Sequence, residues 1–226
     1  MTETNRDLPL VVGISGASGA LYGVELLSAL KDLGVTSHLV MSRSAERTIE
    51  IETGQDPADV AALADVVHDP DNMAAAVASG SFRTRGMIVA PCSIKTLSGI
   101  ANGFADTLLV RAADVTLKER RPLVLLVRET PLHRGHLRLM LQAAEMGAVI
   151  LPPMPAFYHG PKDIRDLVLQ VVGKALDEEQ SHERKNELDR MAVPLNGTEP
   201  LGEARFCDAR GIPKLRNRFR FRFRFR

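Results

Sequence analysis

The sequence predicts an α/β fold, with one doubly wound parallel sheet and helices on both faces. Short β-rich segments that are apolar throughout alternate with longer segments of helical periodicity. The length of 226 residues favours one well-filled domain, since folding would bury roughly 70% of the unfolded chain's surface. With 45% hydrophobic and 25% charged residues, the composition is typical of a globular protein and excludes collagen-like or wholly disordered chains.

Five strands are predicted in the body of the chain, and none contains a charged side chain. They cover residues 8–15, 35–41, 87–90, 122–127 and 149–151. The helices predicted between and after them cover residues 20–33 and 44–53, a turn from Ser93, and residues 108–118, 136–146 and 163–177. Residues 177–190 have the composition of a solvated helix. Strands of this kind separated by helices indicate a parallel sheet that is buried on both sides.

The domain is predicted to cover residues 1–190, followed by a disordered extension over residues 191–226. The 29 basic and 28 acidic side chains give a net charge of +1, which provides no argument for a nucleic-acid partner. Nine basic and two acidic side chains fall in the last 26 residues, which leaves −6 on the first 200. The last nine residues alternate Arg and Phe, a pattern that fits an amphipathic strand, a peptide on anionic lipid or nucleic acid, or an accidental extension. The last interpretation is favoured, and the tail is assigned no function.

The cysteine content and the absence of targeting signals favour the cytoplasm. Cys92 and Cys207 cannot form a framework of several disulfides. The N-terminus lacks the basic and then apolar pattern of a secretory signal, and no apolar run approaches the ~20 residues that span a bilayer. The sequence therefore predicts a cytoplasmic protein with no membrane span.

Ligands in such a fold bind at the carboxyl ends of the strands. After the first strand, the glycine-rich segment 13–19 allows a tight turn and offers the amides of the next helix to an anion. It is neither a Walker A loop nor a dinucleotide fingerprint. A phosphate or flavin site and a tight turn without a ligand are equally compatible with it. Ser15 and Ser18 add hydroxyl groups there.

After the third predicted strand, segment 90–96 contains a natural helix cap, Ser93, followed by Lys95 and Thr96. A second anion cradle and an ordinary capped helix fit this segment equally well. Cys92 is interpreted as a small packed residue, because no His or acidic residue has a spacing from it that indicates a catalytic partner.

Segment 127–132 follows the next strand and places Arg128 and Glu129 at its end. We expect Glu129 to be partly desolvated there, with its pKa raised into a range useful for proton transfer. A strand-end ion pair is the alternative. His133 and His136 lack a convincing third ligand, so no metal site is predicted. The proline-rich loop 151–161 is a stiff element that carries Tyr158, either as a phosphate ligand or as an exposed side chain.

Taken together, these segments resemble the UbiX family of flavin prenyltransferases from about Leu10 to Asp177. The likeness lies in GISGASGALYG, VMSRSAERTIEIETG, APCSIKTLSGI, RAADVTLKERRPLVLLVRETPLHRGHLRLM and LPPMPAFYHGP. The resemblance implies a Rossmann-like, flavodoxin-like fold. It also implies an enzyme that transfers a dimethylallyl group from dimethylallyl phosphate to N5 and C6 of reduced FMN. The product, prenylated FMN, would serve a UbiD-type decarboxylase in ubiquinone synthesis or aromatic-acid metabolism.

The resemblance further implies a role for residues at matching positions. FMN would contact Gly16, Ala17, Ser18, Ser42, Ser93, Ile94, Lys95, Thr96 and Arg128. Arg111, Lys118, Tyr158 and Lys174 would hold the phosphate of the prenyl donor. Glu129 is the expected base, with Glu52 and Ser18 assisting proton movement, and no metal is required. Members of the family form homo-oligomers, commonly dodecamers, with sites between subunits, so Arg111 is expected to act in a neighbour's pocket.

Three other functions remain alternatives. A flavin-dependent cysteine decarboxylase would need a catalytic His after the first helix and an Asn-containing late loop, and neither is evident here. An aromatic-acid decarboxylase would need a buried acid–base pair or a further cofactor. A non-catalytic FMN carrier would not need a pocket for a leaving phosphate, so Glu129, Lys118 and Tyr158 argue against it.

Overall fold

The computed structural model describes residues 8–191, with side chains described as far as residue 181. Residues 8–185 belong to one compact unit. The predicted extension beyond residue 191 lies outside the described residues, and the predicted domain boundary at residue 190 stays a prediction. No helix within the described part of the chain is long and apolar enough to cross a bilayer.

A six-stranded sheet organises the compact unit. Its strands are β1 (Leu10–Ile14), β2 (Ser37–Met41), β3 (Val66–His68), β4 (Gly86–Cys92), β5 (Leu123–Val127) and β6 (Val149–Ile150). They pair in the order β3-β2-β1-β4-β5-β6, and every pair is parallel. Without the three-residue edge strand β3, this is the flavodoxin-like order. The predicted doubly wound fold is therefore confirmed.

The strand order reverses at β1, because β2 and β3 lie on one side of it and β4, β5 and β6 on the other. The ladder between β1 and β4 runs from the pair Leu10 and Gly86 to the pair Gly13 and Val89. At such a switch point the loops after neighbouring strands diverge and open a crevice at the carboxyl ends. The crevice expected for a ligand consequently lies above β1 and β4.

Seven helices cover the two faces of the sheet in the described residues. They are α1 (Ala20–Asp32), α2 (Arg43–Thr53), α3 (Pro57–Ala61), α4 (Ile94–Ala101), α5 (Leu108–Lys118), α6 (Arg134–Glu145) and α7 (Ile164–Met191). Buried side chains of α1, α2, α3 and α7 form a core on one face. Those of α4, α5, α6 and the 3-10 turn Ala76–Ala78 form the core on the other. Each face is thus sealed by its own apolar layer.

Helix α1 lies very close to the sheet at Gly23. A Cβ atom built there would lie 2.5 Å from the carbonyl oxygen of Ala90 and 2.7 Å from Cδ1 of Ile14. Only a residue without a side chain allows the helix to approach the strands this closely. The start of α1 is therefore held directly beside the crevice.

The sequence missed three small features and divided one helix. It did not predict β3, α3 or the 3-10 turn, and it treated the packed helix to Asp177 and the solvated helical segment beyond it separately, whereas α7 is one helix from Ile164 to Met191. Val66 and Val67 on β3 are 38% and 51% exposed, so they lack the buried pattern that identified the other strands.

Candidate functional site

The turn after β1 packs its backbone against the start of α2. A Cβ atom at Gly16 would lie 2.3 Å from Oγ of Ser44, so a side chain has no room there. Ala17 is buried, whereas Ser18 is exposed. The three predicted flavin contacts in this turn therefore lie at the carboxyl edge of the sheet, with the Ser18 side chain exposed.

Glu52 occupies the start of α1, although it comes from the last turn of α2. Its Oε2 accepts hydrogen bonds from the amides of Gly19 (2.8 Å) and Ala20 (2.9 Å). Desolvation alone would raise the pKa of Glu52, but hydrogen bonds from Ser18 and from these two amides, together with the Arg128 charge, bring it below its ordinary value. The expectation that these amides are free for a ligand anion is therefore wrong, because a carboxylate of the chain already holds them.

Ser42 caps α2 at the carboxyl end of β2. Its amide donates to the carbonyl oxygen of Ile14 (3.0 Å), and its Oγ accepts from the amide of Ala45 (3.2 Å). The same hydroxyl lies 3.1 Å from Oγ of Ser44. Ser42 thus ties the end of β2 to the end of β1 and places a hydroxyl pair at the positive end of a helix.

Ser93 caps α4 above the switch point. Its Oγ accepts from the amide of Thr96 (3.3 Å) and donates to Oγ1 of Thr96 (3.1 Å). Thr96 is buried, Ile94 is half-buried, and Lys95 is exposed. Lys95 opens onto a surface depression of about 470 Å³, lined also by Ser98, Gly99, Asn102, Phe104 and Asp106. The second predicted cradle is therefore a helix start with one exposed cation.

Arg128 and Glu129 follow β5 at the same edge. The amide of Arg128 donates to the carbonyl oxygen of Cys92 (3.0 Å). Partial burial raises the pKa of Tyr22, and the nearby Arg128 charge opposes part of that rise, which places the guanidinium beside α1. Glu129 is exposed, and its Oε1 accepts from the amide of Thr130 (3.0 Å). The expected desolvation of Glu129 is therefore wrong for a single chain.

Tyr158 and Lys174 lie on the segments that follow β6. Tyr158 is 76% exposed in the loop after β6, and Lys174 on α7 pairs with Glu178 at 2.6 Å. The hydrogen bond to Glu178 is the largest cause of the raised pKa of Lys174, and the Tyr158 charge makes the last of the contributions in the same direction. The two predicted phosphate ligands therefore lie within electrostatic range of each other, and Lys174 is already paired with a carboxylate.

Arg111 and Lys118 are held elsewhere, on α5. Arg111 donates from Nε to the carbonyl oxygen of Ala78 (3.2 Å) and pairs with Asp114 (2.7 Å). Lys118 pairs with Glu119, and its Nζ would lie 2.6 Å from a Cβ atom at Gly80. This places Lys118 at the amino edge of the sheet, roughly 16 Å from the carboxyl edge at ~3.3 Å per strand residue.

The remaining candidates have structural surroundings. Cys92 is buried, which confirms it as a packed residue, and burial raises its pKa to about 12. His133 caps α6 through Nδ1, which accepts from the amides of Gly135 (2.9 Å) and His136 (3.3 Å), and its ring stacks on that of His136. Among residues 8–181, no group of three or more His, Cys, Asp or Glu side chains is placed to hold a metal ion.

Sequence reasoning missed the part that Ser15 and Tyr22 play at this edge. Ser15 bonds the ends of β1 and β4 to each other, and Tyr22 lies near Arg128. The buried, hydroxyl-bearing end of an apolar strand was the available signal for Ser15. Nothing in the local pattern indicated its partners, which lie 76 and 78 residues away.

Comparisons with known proteins identify the family of the chain. The model of the Flavoprotein family matches residues 1–175. The Flavin prenyltransferase UbiX of Escherichia coli K12 is 61% identical over 170 residues, which cover 75% of this chain and 90% of that protein.

Two crystal structures are similar throughout the compact unit. That of AnUbiX (PadA1) in complex with FMN and dimethylallyl pyrophosphate has 55% identity and a TM-score of 0.76, covering 77% of this chain and 93% of that one. That of a dodecameric FMN-dependent UbiX-like decarboxylase from Escherichia coli O157:H7 has 55% identity and a TM-score of 0.74, covering 76% and 94%. The chain therefore belongs to the Flavoprotein family and, within it, to the UbiX flavin prenyltransferases.

Proposed function

We propose that this chain transfers a dimethylallyl group from dimethylallyl phosphate to N5 and C6 of reduced FMN. The allylic C–O bond would break with its electron pair leaving on phosphate as N5 bonds to that prenyl carbon and loses its proton. The prenyl double bond would then take up a proton at one carbon while its other carbon bonds to C6, which releases its own proton. Membership of the UbiX family and the 61% identity to a flavin prenyltransferase support this reaction. The observation that carries it is the convergence of Ser42, Ser93 and Arg128 at the switch point of the sheet.

The residues at the carboxyl edge fit a flavin mononucleotide. Gly16, Ala17, Ser18, Ser42, Ser93, Ile94, Lys95, Thr96 and Arg128 all follow β1, β2, β4 or β5 directly. Hydroxyl groups at the starts of two helices, with one guanidinium, suit an anionic phosphate and the polar edge of a flavin ring. Because Glu52 already holds the start of α1, we assign the phosphate of FMN to the starts of α2 and α4.

The prenyl donor needs more cations than one chain brings together. Tyr158 and Lys174 form one half of its phosphate site. Arg111 lies near the start of α5 and is bonded to Ala78 and Asp114, whereas Lys118 lies at the amino edge, away from the crevice. We assign both to the site of a neighbouring copy in a homo-oligomer, as the dodecameric relative makes feasible. Cations around the departing phosphate stabilise the charge that develops as the C–O bond breaks.

Proton movement falls to the carboxylates. Glu129 is the base that takes the proton released when C6 forms its bond, and its exposure on one chain leaves it accessible to a bound flavin. Glu52 has a lowered pKa and its oxygen is engaged by two amides, so it acts by orienting Ser18, which passes a proton toward the phosphate. The prenylated FMN then serves a UbiD-type decarboxylase in the cytoplasm, in ubiquinone synthesis or aromatic-acid metabolism.

The test is anaerobic incubation of the purified chain with reduced FMN and dimethylallyl phosphate, followed by mass spectrometry of the flavin. We expect a flavin that carries one dimethylallyl unit. Glu129→Gln should keep flavin bound and slow transfer about 10²- to 10⁴-fold. Glu145→Gln, at an exposed site at the end of α6, is the matched control and should turn over normally. Tight flavin binding with no change in flavin mass would instead support the carrier function.

A further inference from the structure

Ser15 is a buried serine immediately after β1, and only 2% of its surface is exposed. Its amide and its Oγ both donate to the carbonyl oxygen of Pro91, at 3.2 and 2.8 Å. The same Oγ accepts from the amide of Ser93 at 2.8 Å. One hydroxyl therefore joins the end of β1 to the segment that leads from β4 into α4.

This junction lies where regular strand pairing stops. The β1–β4 ladder ends at the pair Gly13 and Val89, and the pairing of β4 with β5 shifts register between Val89 and Cys92. Beyond that point Ser15 supplies the hydrogen bonds that connect the two strand ends. Its position consequently controls the spacing of the crevice at its centre.

The amide that Ser15 holds belongs to the cap of α4. Ser93 in turn holds the amide and the hydroxyl of Thr96, at 3.3 and 3.1 Å. A displacement of the Ser93 backbone therefore moves the start of the helix and the residues that follow the cap. The chain of bonds runs from β1 through Ser15 and Ser93 to Thr96, and every member is buried or half-buried.

We propose that Ser15 is a positioning residue for the flavin: it clasps β1 to the start of α4 and so sets the geometry of the Ser93–Thr96 cradle. This inference rests on the proposed placement of FMN. Ser15 donates its single hydroxyl proton to Pro91, accepts from the Ser93 amide, and is only 2% exposed. It therefore acts through Ser93, without touching the flavin.

The chain offers a matched control for the loss of a buried serine hydroxyl. Ser37 is 1% exposed, and its amide and Oγ lie 2.8 and 3.4 Å from Oδ2 of Asp65. It begins β2 at the amino edge, at the opposite end of the strand from the crevice. Ser37→Ala therefore removes a comparable group without reaching the cradle.

The experiment compares Ser15→Ala, Ser15→Thr and Ser37→Ala in the full chain, with the Kd for FMN, the KM for dimethylallyl phosphate at saturating flavin, and Tm as readouts. We expect Ser15→Ala to raise the Kd for FMN about 10-fold, as a lost hydrogen bond of ordinary strength would. The KM for the prenyl donor should stay within about 2-fold. Ser15→Thr keeps the hydroxyl and should have the Kd for FMN of the unmodified chain. Ser37→Ala should lower Tm and leave the Kd for FMN unchanged.

An unchanged Kd in Ser15→Ala, or an equal rise in Ser37→Ala, would overturn the positioning role. If Ser15→Ala does not fold, Ser15→Cys keeps the volume with a weaker hydrogen-bonding group, and a wild-type Kd in that variant would overturn it equally. Thr96→Val separates this inference from the placement of the flavin. If only Thr96→Val weakens FMN binding, the role of Ser15 fails and the site stands; if neither does, the proposed site itself fails.

Discussion

The two edges of the sheet hold their polar groups in different ways. At the carboxyl edge, Ser42, Ser93 and Glu52 bond to backbone amides at helix starts. At the amino edge, Arg85 pairs with Glu179 in the interior, and Arg121 donates to the carbonyl oxygens of Gly80 (2.9 Å) and Phe82 (2.8 Å). One edge presents short side chains around a crevice, whereas the other is closed by long cations.

This difference indicates that the carboxyl edge provides ligand specificity and that the amino edge provides rigidity. Short hydroxyl side chains lose little entropy and leave space for a ligand, while an Arg that bridges loops fixes chain segments to each other. The amino edge therefore acts as the structural base, and Lys118, an exposed cation of that edge, lies away from the crevice of its own chain. Substitutions at one edge should consequently leave the properties of the other edge unchanged.

The largest effect is expected for the ion pair at the amino edge. Arg85 and Glu179 have side chains that are 8% and 1% exposed, so Arg85→Met removes a guanidinium that is paired with a buried carboxylate. The variant should lose about 3–5 kcal/mol of unfolding free energy, measured by urea denaturation at one fixed protein concentration. Arg47→Met, which breaks an exposed pair with Glu50, should cost under about 0.5 kcal/mol. A Kd for FMN raised more than a few-fold in folded Arg85→Met would show that the edges are not independent.

A smaller effect, on catalysis alone, is expected at Lys118. Lys118→Met should lower kcat/KM for dimethylallyl phosphate about 100-fold, because it removes a cation from the leaving phosphate, and should leave the Kd for FMN unchanged. Steady-state kinetics and flavin titration measure the two quantities. If Lys118 serves a neighbour's site, mixed oligomers of Lys118→Met and Tyr158→Phe chains should regain part of the activity. No recovery on mixing would contradict that assignment.

Glu52 tests the carboxyl edge and has a modest expected effect. Its folded-state pKa is lowered, so the carboxylate stabilises the protein above its ordinary pKa of 4.5, and this contribution is lost as the pH falls through the folded-state value. Glu52→Gln should therefore cost about 0.5–1 kcal/mol at pH 7. The difference from the unmodified chain should shrink below pH 4.5 in urea denaturation. A difference that is independent of pH would contradict the role of the charge.

The smallest effect is expected at Cys92, between the two edges. Burial raises its pKa to about 12, so the thiol should not react with a disulfide reagent at pH 8 in the folded protein. The measurement uses Cys207→Ser, which leaves Cys92 as the single thiol, and compares native with denaturant-unfolded protein. Labelling of the native chain at the rate of a free thiol would show that the interior below the crevice opens readily.

Much of the fold could be predicted because its strands are apolar throughout. Segments such as Leu123–Val127 need no partner to be recognised, and α5 was predicted with the bounds that the structure has. Strand β3 could not be found in this way, since it is three residues long and exposed. The polar segment 177–190 could be recognised as helical from its composition, but it has no apolar period to show that it continues the preceding packed helix without a break.

The site was predictable to the extent that it follows strand ends. Ser42 and Ser93 could be recognised as helix caps from local pattern alone. The hydrogen bonds of Glu52 to the start of α1, and those of Ser15 to the start of α4, could not be predicted, since each joins residues more than 30 positions apart in the sequence. The separation of Lys118 from the crevice likewise depends on the direction in which α5 runs, which only the assembled sheet defines.

The tight approach at Gly23 offers a graded means of opening the crevice. An added methyl group would act as a wedge between α1 and the carbonyl of Ala90, tilting the helix while its far end stays packed through Leu27 and Leu30. The first turn, which carries the partners of Glu52, would swing furthest. The distance between α1 and the strands therefore depends on Gly23 carrying a hydrogen atom in place of a side chain.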